Sequence, residues 1–215
     1  MTGTEMDWSI ENSYFDQGIE LICGADEAGR GPLAGPVFAA AVILPKGIVI
    51  EGLNDSKKLT AKRRDELYDE IKSVALDWAI AHAEVYEIEA INILNASMLA
   101  MNRAIKQLKH TPELALIDGN IVRGFDIPAV PVIKGDGKSP SIAAASILAK
   151  VERDRWCVEM DKFYPGYNFS KNKGYGTKEH KAAILKNGPS PLHRKSFLKK
   201  TLGDAIEETD FWTSW

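Results

Sequence analysis

Three apolar runs in this chain stop in the same way: "LICGADE", "LALIDGN" and "VPVIKGD" each set an acid within two residues of a glycine. One such ending is an ordinary turn. Three of them carry Asp26, Glu27, Asp118 and Asp136 to strand termini, where α/β sheets build their sites. Four carboxylates brought together repel one another, and burying that charge without compensation costs several kcal/mol. A divalent cation resolves the conflict. A set of hard oxygen donors without His or Cys favours Mg²⁺ or Mn²⁺ over Zn²⁺, and shared acids can hold two ions about 3.5–4 Å apart for in-line attack at phosphorus. The chemistry expected is phosphodiester hydrolysis, with one ion turning water into a nucleophile and the other stabilising a departing 3′ oxygen. Asp26 and Glu27 pose a geometric difficulty, because neighbours on a regular strand face opposite sides. They share a site only if Glu27 reaches round, or if the strand bends into a loop, as Gly24 and Gly29 permit.

Charge is distributed unevenly. The net charge is -3, yet residues 162–200 hold ten Lys and Arg against one acid, Glu179, so that segment is about +9 and the rest about -12. Phe163, Tyr164, Tyr167, Phe169, Tyr175 and Phe197 are interleaved with those cations. Basic residues mixed with aromatics form the electrostatic footprint of a phosphate-backbone binder; a solvated charged face is the other reading. The N-terminal "MTGTEMDWSIENSYFDQG" has no basic or apolar leader pattern, and no apolar run is long enough to span a bilayer, so a soluble cytoplasmic protein is expected. Cys23 and Cys157 lack metal-knuckle spacing and read as reduced, buried thiols.

The elements that must position the acids follow from periodicity. "IELICGADE" and "VFAAAVILP" read as strands paired around a glycine-rich loop. "TAKRRDELYDEIKSVA" reads as a helix capped by Thr60, with Leu67, Ile71 and Val74 on one face, and "LDWAIAHAEVY" alternates as a strand. Residues 87–108 carry Ile91, Leu94, Met98, Met101, Ile105 and Leu108 at steps of three and four, which predicts one long amphipathic helix. "LALID" and "PAVPVIKGD" read as buried strands, Ser139 and Pro140 open a further helix, and a last helix runs from about 177 to Gly188. Strands interspersed with helices predict an α/β layer fold with a small helical C-terminal segment. The division expected is an N-terminal extension (1–18), a catalytic domain (19–160), a basic helical segment (161–200) and an acidic-aromatic tail (201–215).

Taken together, "GADEAGRGPLAGPV", "GLNDSKKLTAKRR", "EIEAINILNASMLAMNRAI", "LIDGN", "KGDGKSPSIAAASILAKVERDR", "YPGYNFSKNKGYGTKEH" and "HRKSF" resemble type 2 ribonuclease H, ribonuclease HII of the bacterial kind, over about residues 19–198. The resemblance implies a ribonuclease H-like mixed sheet flanked by helices, with a helical C-terminal segment closing over the substrate. It also implies that Asp26, Glu27, Asp118 and Asp136 form the metal-binding catalytic set, with Asp26 bridging the ions. By the same likeness Gly29, Arg30 and Gly31 grip the ribonucleotide at an RNA-DNA junction, and Tyr175 stacks on the sugar of the next deoxynucleotide. Physics makes these roles reasonable: only glycines let backbone approach a 2′-OH closely, and a ring flat against deoxyribose is crowded by a hydroxyl. Lys57 and Lys58 in "DSKKL", and Arg194, Lys195 and Ser196 in "HRKSF", are expected to contact phosphates without reading sequence, although each lysine is equally compatible with a solvated surface position. His180 and His193 stay open between structural, phosphate-binding and acid-base roles.

The activity so implied is endonucleolytic: cleavage of the RNA strand of RNA/DNA hybrids and nicking 5′ to single ribonucleotides in duplex DNA, with Mg²⁺ or Mn²⁺. The stretch "DAIEETDFWTSW" lacks a glutamine-led peptide of the kind that docks sliding clamps, so a clamp partner is not expected from it. Three rivals stay open: a sibling ribonuclease H of relaxed specificity, a strand-transfer or resolvase enzyme indifferent to a 2′-OH, and a non-catalytic nucleic-acid binder.

Overall fold

The computed structural model describes residues 6–203. Its centre is a mixed five-stranded sheet in the order β3-β2-β1-β4-β5. Strands β1 (Ile22–Ala28), β2 (Val37–Ile43) and β3 (Asp77–Ala83) are antiparallel neighbours, while β4 (Leu114–Asp118) and β5 (Ala129–Val132) continue parallel from β1. Every residue of β2, "VFAAAVI", is buried. Such a continuous apolar run suits a strand covered on both faces, and here helices cover both.

On one face the small side chains Cys23, Ala25, Ala39, Ala41 and Ala81 pack against α3 (Val85–Lys106), whose Ala96, Ala100 and Ala104 allow close approach. On the other face lie α2 (Ala61–Val74) and α4 (Pro140–Phe163), through Leu67, Ile71, Ala144, Ile147 and Leu148. Thr60 and Ser139 cap these two helices by accepting from Arg63 N–H and Ile142 N–H, the signals expected at both starts. The first turn of α4 sits directly on β1. A Cβ at Gly24 would stand 2.2 Å from the Ser141 carbonyl carbon, so only glycine fits there.

Three differences from the expected elements have local causes. Helix α3 is kinked at Asn92 (φ 67°), whose carboxamide oxygen accepts from Leu94 and Asn95 N–H and so restarts the helix. Ile91, the first member of the expected stripe, thereby comes out partly exposed. The boundary expected at 160/161 falls inside α4, which is continuous to Phe163. The N-terminal extension contains α1 (Ser9–Phe15), whose Ile10, Tyr14 and Phe15 pack with Ile22, Leu116 and Ile142.

Beyond α4 come α5 (Phe169–Asn172), α6 (Lys178–Asn187) and α7 (Lys195–Leu202). They share a second small core, Tyr167, Phe169, Ile184 and Leu198, with Leu33 and Ala34 of the β1–β2 loop. That loop is therefore held by the C-terminal segment as well as by the sheet. Residues 204–215, most of the tail considered above, lie outside the described residues. Among the described residues no helix is long and apolar enough to cross a membrane.

Candidate active site

The sheet itself brings two of the acids together. Parallel pairing places Ala25 opposite Ile117, and one residue further along the same register Asp26 stands beside Asp118, the last residue of β4. Alternation directs both toward the face covered by α4. Asp118 Oδ1 accepts from the N–H groups of Gly135 (2.7 Å) and Asp136 (3.4 Å), which ties β4 to the 3-10 turn Gly135–Gly137 carrying the fourth acid.

Asp26, Glu27 and Asp118 line one cavity of about 300 Å³, together with Gly29, Arg30, Gly31, Lys57 and Tyr175. Asp136 lines the adjoining cavity of about 540 Å³, with Lys58, Lys134 and Lys138. Asp118 and Lys57 belong to both. The four acids thus surround two contiguous spaces. The difficulty with Glu27 has a simple resolution. Strand β1 is still extended there, and the cavity wraps the sheet end so that side chains from both faces reach it.

Burial, followed by the charges of Glu27 and Asp118, raises the Asp26 carboxyl well above the ordinary carboxylate range. Glu27 is raised by burial and by Asp118, against the opposing pull of Arg30, whose Nη1 lies 3.3 Å from Oε1. Asp118 is raised by burial and by Asp136. Lys57 Nζ meets Asp136 Oδ2 at 3.2 Å. Partial burial pulls that ammonium down, but Asp136, Asp26 and Asp55 outweigh it and raise its pKa.

The loop after β1 is built on the C-terminal segment. Gly29 has φ +105°, and a Cβ there would meet Arg153 Nε at 2.2 Å. Arg194, expected at the surface as a phosphate contact, is instead fully buried. Its guanidinium donates to the carbonyls of Gly29, Arg30, Pro32, Gly35 and Pro36 at 2.6–3.3 Å. An interior cluster of loop carbonyls, which only a planar five-donor fork can serve, takes it out of solvent. Ser196 is exposed, yet its N–H and Oγ are engaged by the Glu89 carboxylate (Oγ to Oε1, 2.9 Å), and it lines neither cavity. The Tyr175 ring lies against Gly31, since a Cβ on that glycine would stand 3.6 Å from Cε1.

His180 and His193 form a buried relay behind Tyr175. The Ser190 N–H donates to His193 Nδ1 (2.9 Å), which places the proton of neutral His193 on Nε2. That Nε2–H donates to His180 Nε2 (3.1 Å), and His180 Nδ1–H donates to the Tyr175 carbonyl (2.9 Å). Burial lowers both imidazoles; His193, further lowered by His180, falls to about 3. Both groups are spoken for structurally, which separates them from acid-base work. Unfolded imidazole takes up protons that folded His193 refuses, so its contribution to stability is complete above about 6.5 and is lost as pH falls toward about 3. Thermal midpoints measured from pH 7.5 to 4.5 should therefore fall more steeply for the wild type than for His193→Gln, and parallel slopes would contradict this.

The family model described as ribonuclease HII matches residues 23–200. The chain belongs to the ribonuclease HII family. With that membership it is a ribonuclease H, a metal-dependent endoribonuclease. It is 51% identical to ribonuclease HII of Caldicellulosiruptor saccharolyticus over 195 residues, covering 91% of this chain and 95% of that one. It is 56% identical to ribonuclease HII of Idiomarina loihiensis over 177 residues, covering 82% and 95%. Among solved structures, ribonuclease H2 of Pyrococcus horikoshii superposes with TM-score 0.72 at 22% identity, covering 88% of this chain and all of that one. The complex of PCNA with RNase HII from Archaeoglobus fulgidus superposes at TM-score 0.66 and 26% identity, covering 82% and 94%. The ribonuclease H-like fold expected from the motifs is thus the fold observed.

The donors around the two cavities fit a hard divalent ion. They are carboxylate oxygens, three of them raised by burial and mutual repulsion, which is the state a bound cation relieves. Among the described residues no three of His, Cys, Asp or Glu form a ready-made cage. Arg30 and Lys57 are paired with Glu27 and Asp136 instead. Ser146, Lys150 and Arg153 also line the first cavity and were not singled out from the sequence. Their spacing of four and three along "SIAAASILAKVERDR" was the available signal: three polar residues on one helical face.

Proposed function

We propose that the chain hydrolyses the RNA strand of RNA/DNA hybrids and nicks duplex DNA 5′ to single embedded ribonucleotides, leaving 3′-OH and 5′-phosphate ends. The observation that carries this reading is one cavity lined at once by Asp26, Glu27 and Asp118 and by the Gly29-Arg30-Gly31 loop and Tyr175. Cutting and reading groups then meet the same nucleotide. Asp26, Glu27, Asp118 and Asp136 are the groups that would hold Mg²⁺ or Mn²⁺, as two ions. Bound there, the ions would supply the charge that lowers the pKa of a water nucleophile and offsets charge developing on the departing 3′ oxygen.

The protein's own groups do the selecting. Backbone at Gly29 and Gly31 approaches the 2′-OH, which sets RNA apart from DNA. The half-exposed Tyr175 ring presents a flat face to the following sugar. Lys57 and Lys58 border the second cavity and hold phosphates. The role served is ribonucleotide excision and removal of RNA primer remnants, in the cytoplasm. Residues 201–215, which contain no glutamine-led peptide, do not support sliding-clamp docking.

The test is cleavage of three labelled duplexes, one with a single ribonucleotide, one an RNA/DNA hybrid and one all DNA, with Mg²⁺, Mn²⁺ or chelator. Cutting of the first two alone, abolished by chelator, is expected; equal cutting of the all-DNA duplex would overturn the reading and favour the strand-transfer rival. Tyr175→Ala should lower the preference for the single-ribonucleotide duplex over the hybrid by about tenfold, the scale of one aromatic contact. Equal losses on both substrates would mean that the ring only supports the fold.

A further inference from the structure

The N-terminal helix lies outside the residues matched by the family model and carries a fully buried acid, Glu11. Its Oε1 accepts from Ser139 Oγ (2.6 Å) and from Ser141 N–H (3.2 Å). Its Oε2 is buried without a hydrogen-bond partner. A carboxylate is tolerated there because it sits at the first turn of the 24-residue α4, where the helix dipole favours negative charge. The contact reaches further than capping. Ser139 N–H donates to the Gly135 carbonyl (2.8 Å), and Gly135 N–H donates to Asp118 Oδ1 (2.7 Å). Asp136 lies inside the same turn, and its N–H also points at Asp118 Oδ1. A continuous hydrogen-bonded path therefore runs from α1 to Asp118, which borders both cavities, and to the turn that carries Asp136, which borders the second.

We infer that Glu11 is a positioning residue for the site: through Ser139 it fixes the 135–139 turn, and with it the separation and orientation of Asp118 and Asp136. The inference rests on the proposed metal-holding role of those two acids. What matters is the acceptor at Oε1, so Glu11→Gln preserves the path and Glu11→Ala breaks it.

The experiment is titration of Mn²⁺ by electron paramagnetic resonance into wild type, Glu11→Ala, Glu11→Gln and Ser139→Ala, with steady-state kinetics on the single-ribonucleotide duplex. Glu11→Ala is expected to weaken Mn²⁺ affinity by about tenfold to a hundredfold, the range for groups that orient metal ligands, and to lower kcat with KM little changed. Glu11→Gln should restore both, and Ser139→Ala should reproduce the loss without adding to it in the double variant. Should Glu11→Ala prove too unstable to handle, the Ser139→Ala and Glu11→Gln pair decides the matter. Unchanged Mn²⁺ affinity in Glu11→Ala or Ser139→Ala, beside a wild type that binds the ion, overturns this inference alone. A wild type that binds no Mn²⁺ overturns the metal-holding assignment and this inference with it.

Discussion

Asp26→Asn is expected to lower kcat by about a thousandfold, the scale for removing a group that stabilises charge developing in a transition state, while raising the thermal midpoint in metal-free buffer. The two effects share one cause. Asp26 is buried between Glu27 and Asp118, and its carboxyl is held well above its ordinary range by burial first and by those two charges second. A group whose folded pKa is raised binds its proton more tightly when folded, so stability is fullest in acid and declines as pH rises through the elevated range. Asparagine keeps the shape and an oxygen able to accept from Glu27 N–H, which now donates to Asp26 Oδ1 at 2.7 Å. It removes the charge. Its advantage in midpoint should therefore widen between pH 5 and pH 8. A variant less stable than wild type across that range would show that Asp26 is no site of stored repulsion.

Arg194→Ala is the second substitution with a large expected effect, on stability rather than chemistry. Its guanidinium makes six hydrogen bonds to five carbonyls, and it is covered completely. Burial, then the neighbouring Arg153 charge, pulls its pKa down to about 9, which still leaves it a cation at neutral pH. Truncation strands several loop carbonyls, each unsatisfied group costing about 1–3 kcal/mol. With relaxation, a total of about 3–5 kcal/mol is expected. For a chain of this size that is a fall of about 10 °C in midpoint. Arg194→Lys should rescue little, because a single ammonium cannot span carbonyls from Gly29 to Pro36. Surviving protein should also lose preference for single ribonucleotides, since two of the carbonyls this side chain holds are those of Gly29 and Arg30. Unfolding curves within 1 °C of wild type would contradict the role.

Much of the fold was legible because it is encoded locally. The alternation of β3, the apolar run of β2, the Thr60 and Ser139 caps and Pro140 are signals within a few residues, and each marks an element that formed. What was illegible is non-local. Helix α1 is seven residues long and is held by a carboxylate that meets Ser139 across 128 positions of sequence. Such a short helix has little intrinsic stability. The kink at Asn92 was hidden by an apolar stripe that continues through it. Arg194, in a basic segment, reads as surface charge until the carbonyls that surround it are assembled from residues 158 to 165 positions away. The division of the acids between two cavities likewise depends on where the 135–137 turn lies relative to β1, which spacing alone does not specify.

In the proposed site, carboxylates from separate segments hold divalent ions beside the loop that reads the sugar. Mn²⁺ soaked into crystals and located by anomalous scattering tests this most directly. Strong peaks are expected about 2.0–2.6 Å from Asp26 oxygens, with Asp118 in reach and the Gly29-Arg30-Gly31 backbone alongside. Peaks confined to other parts of the surface, in a protein that cleaves its substrate with the same ion, would contradict it.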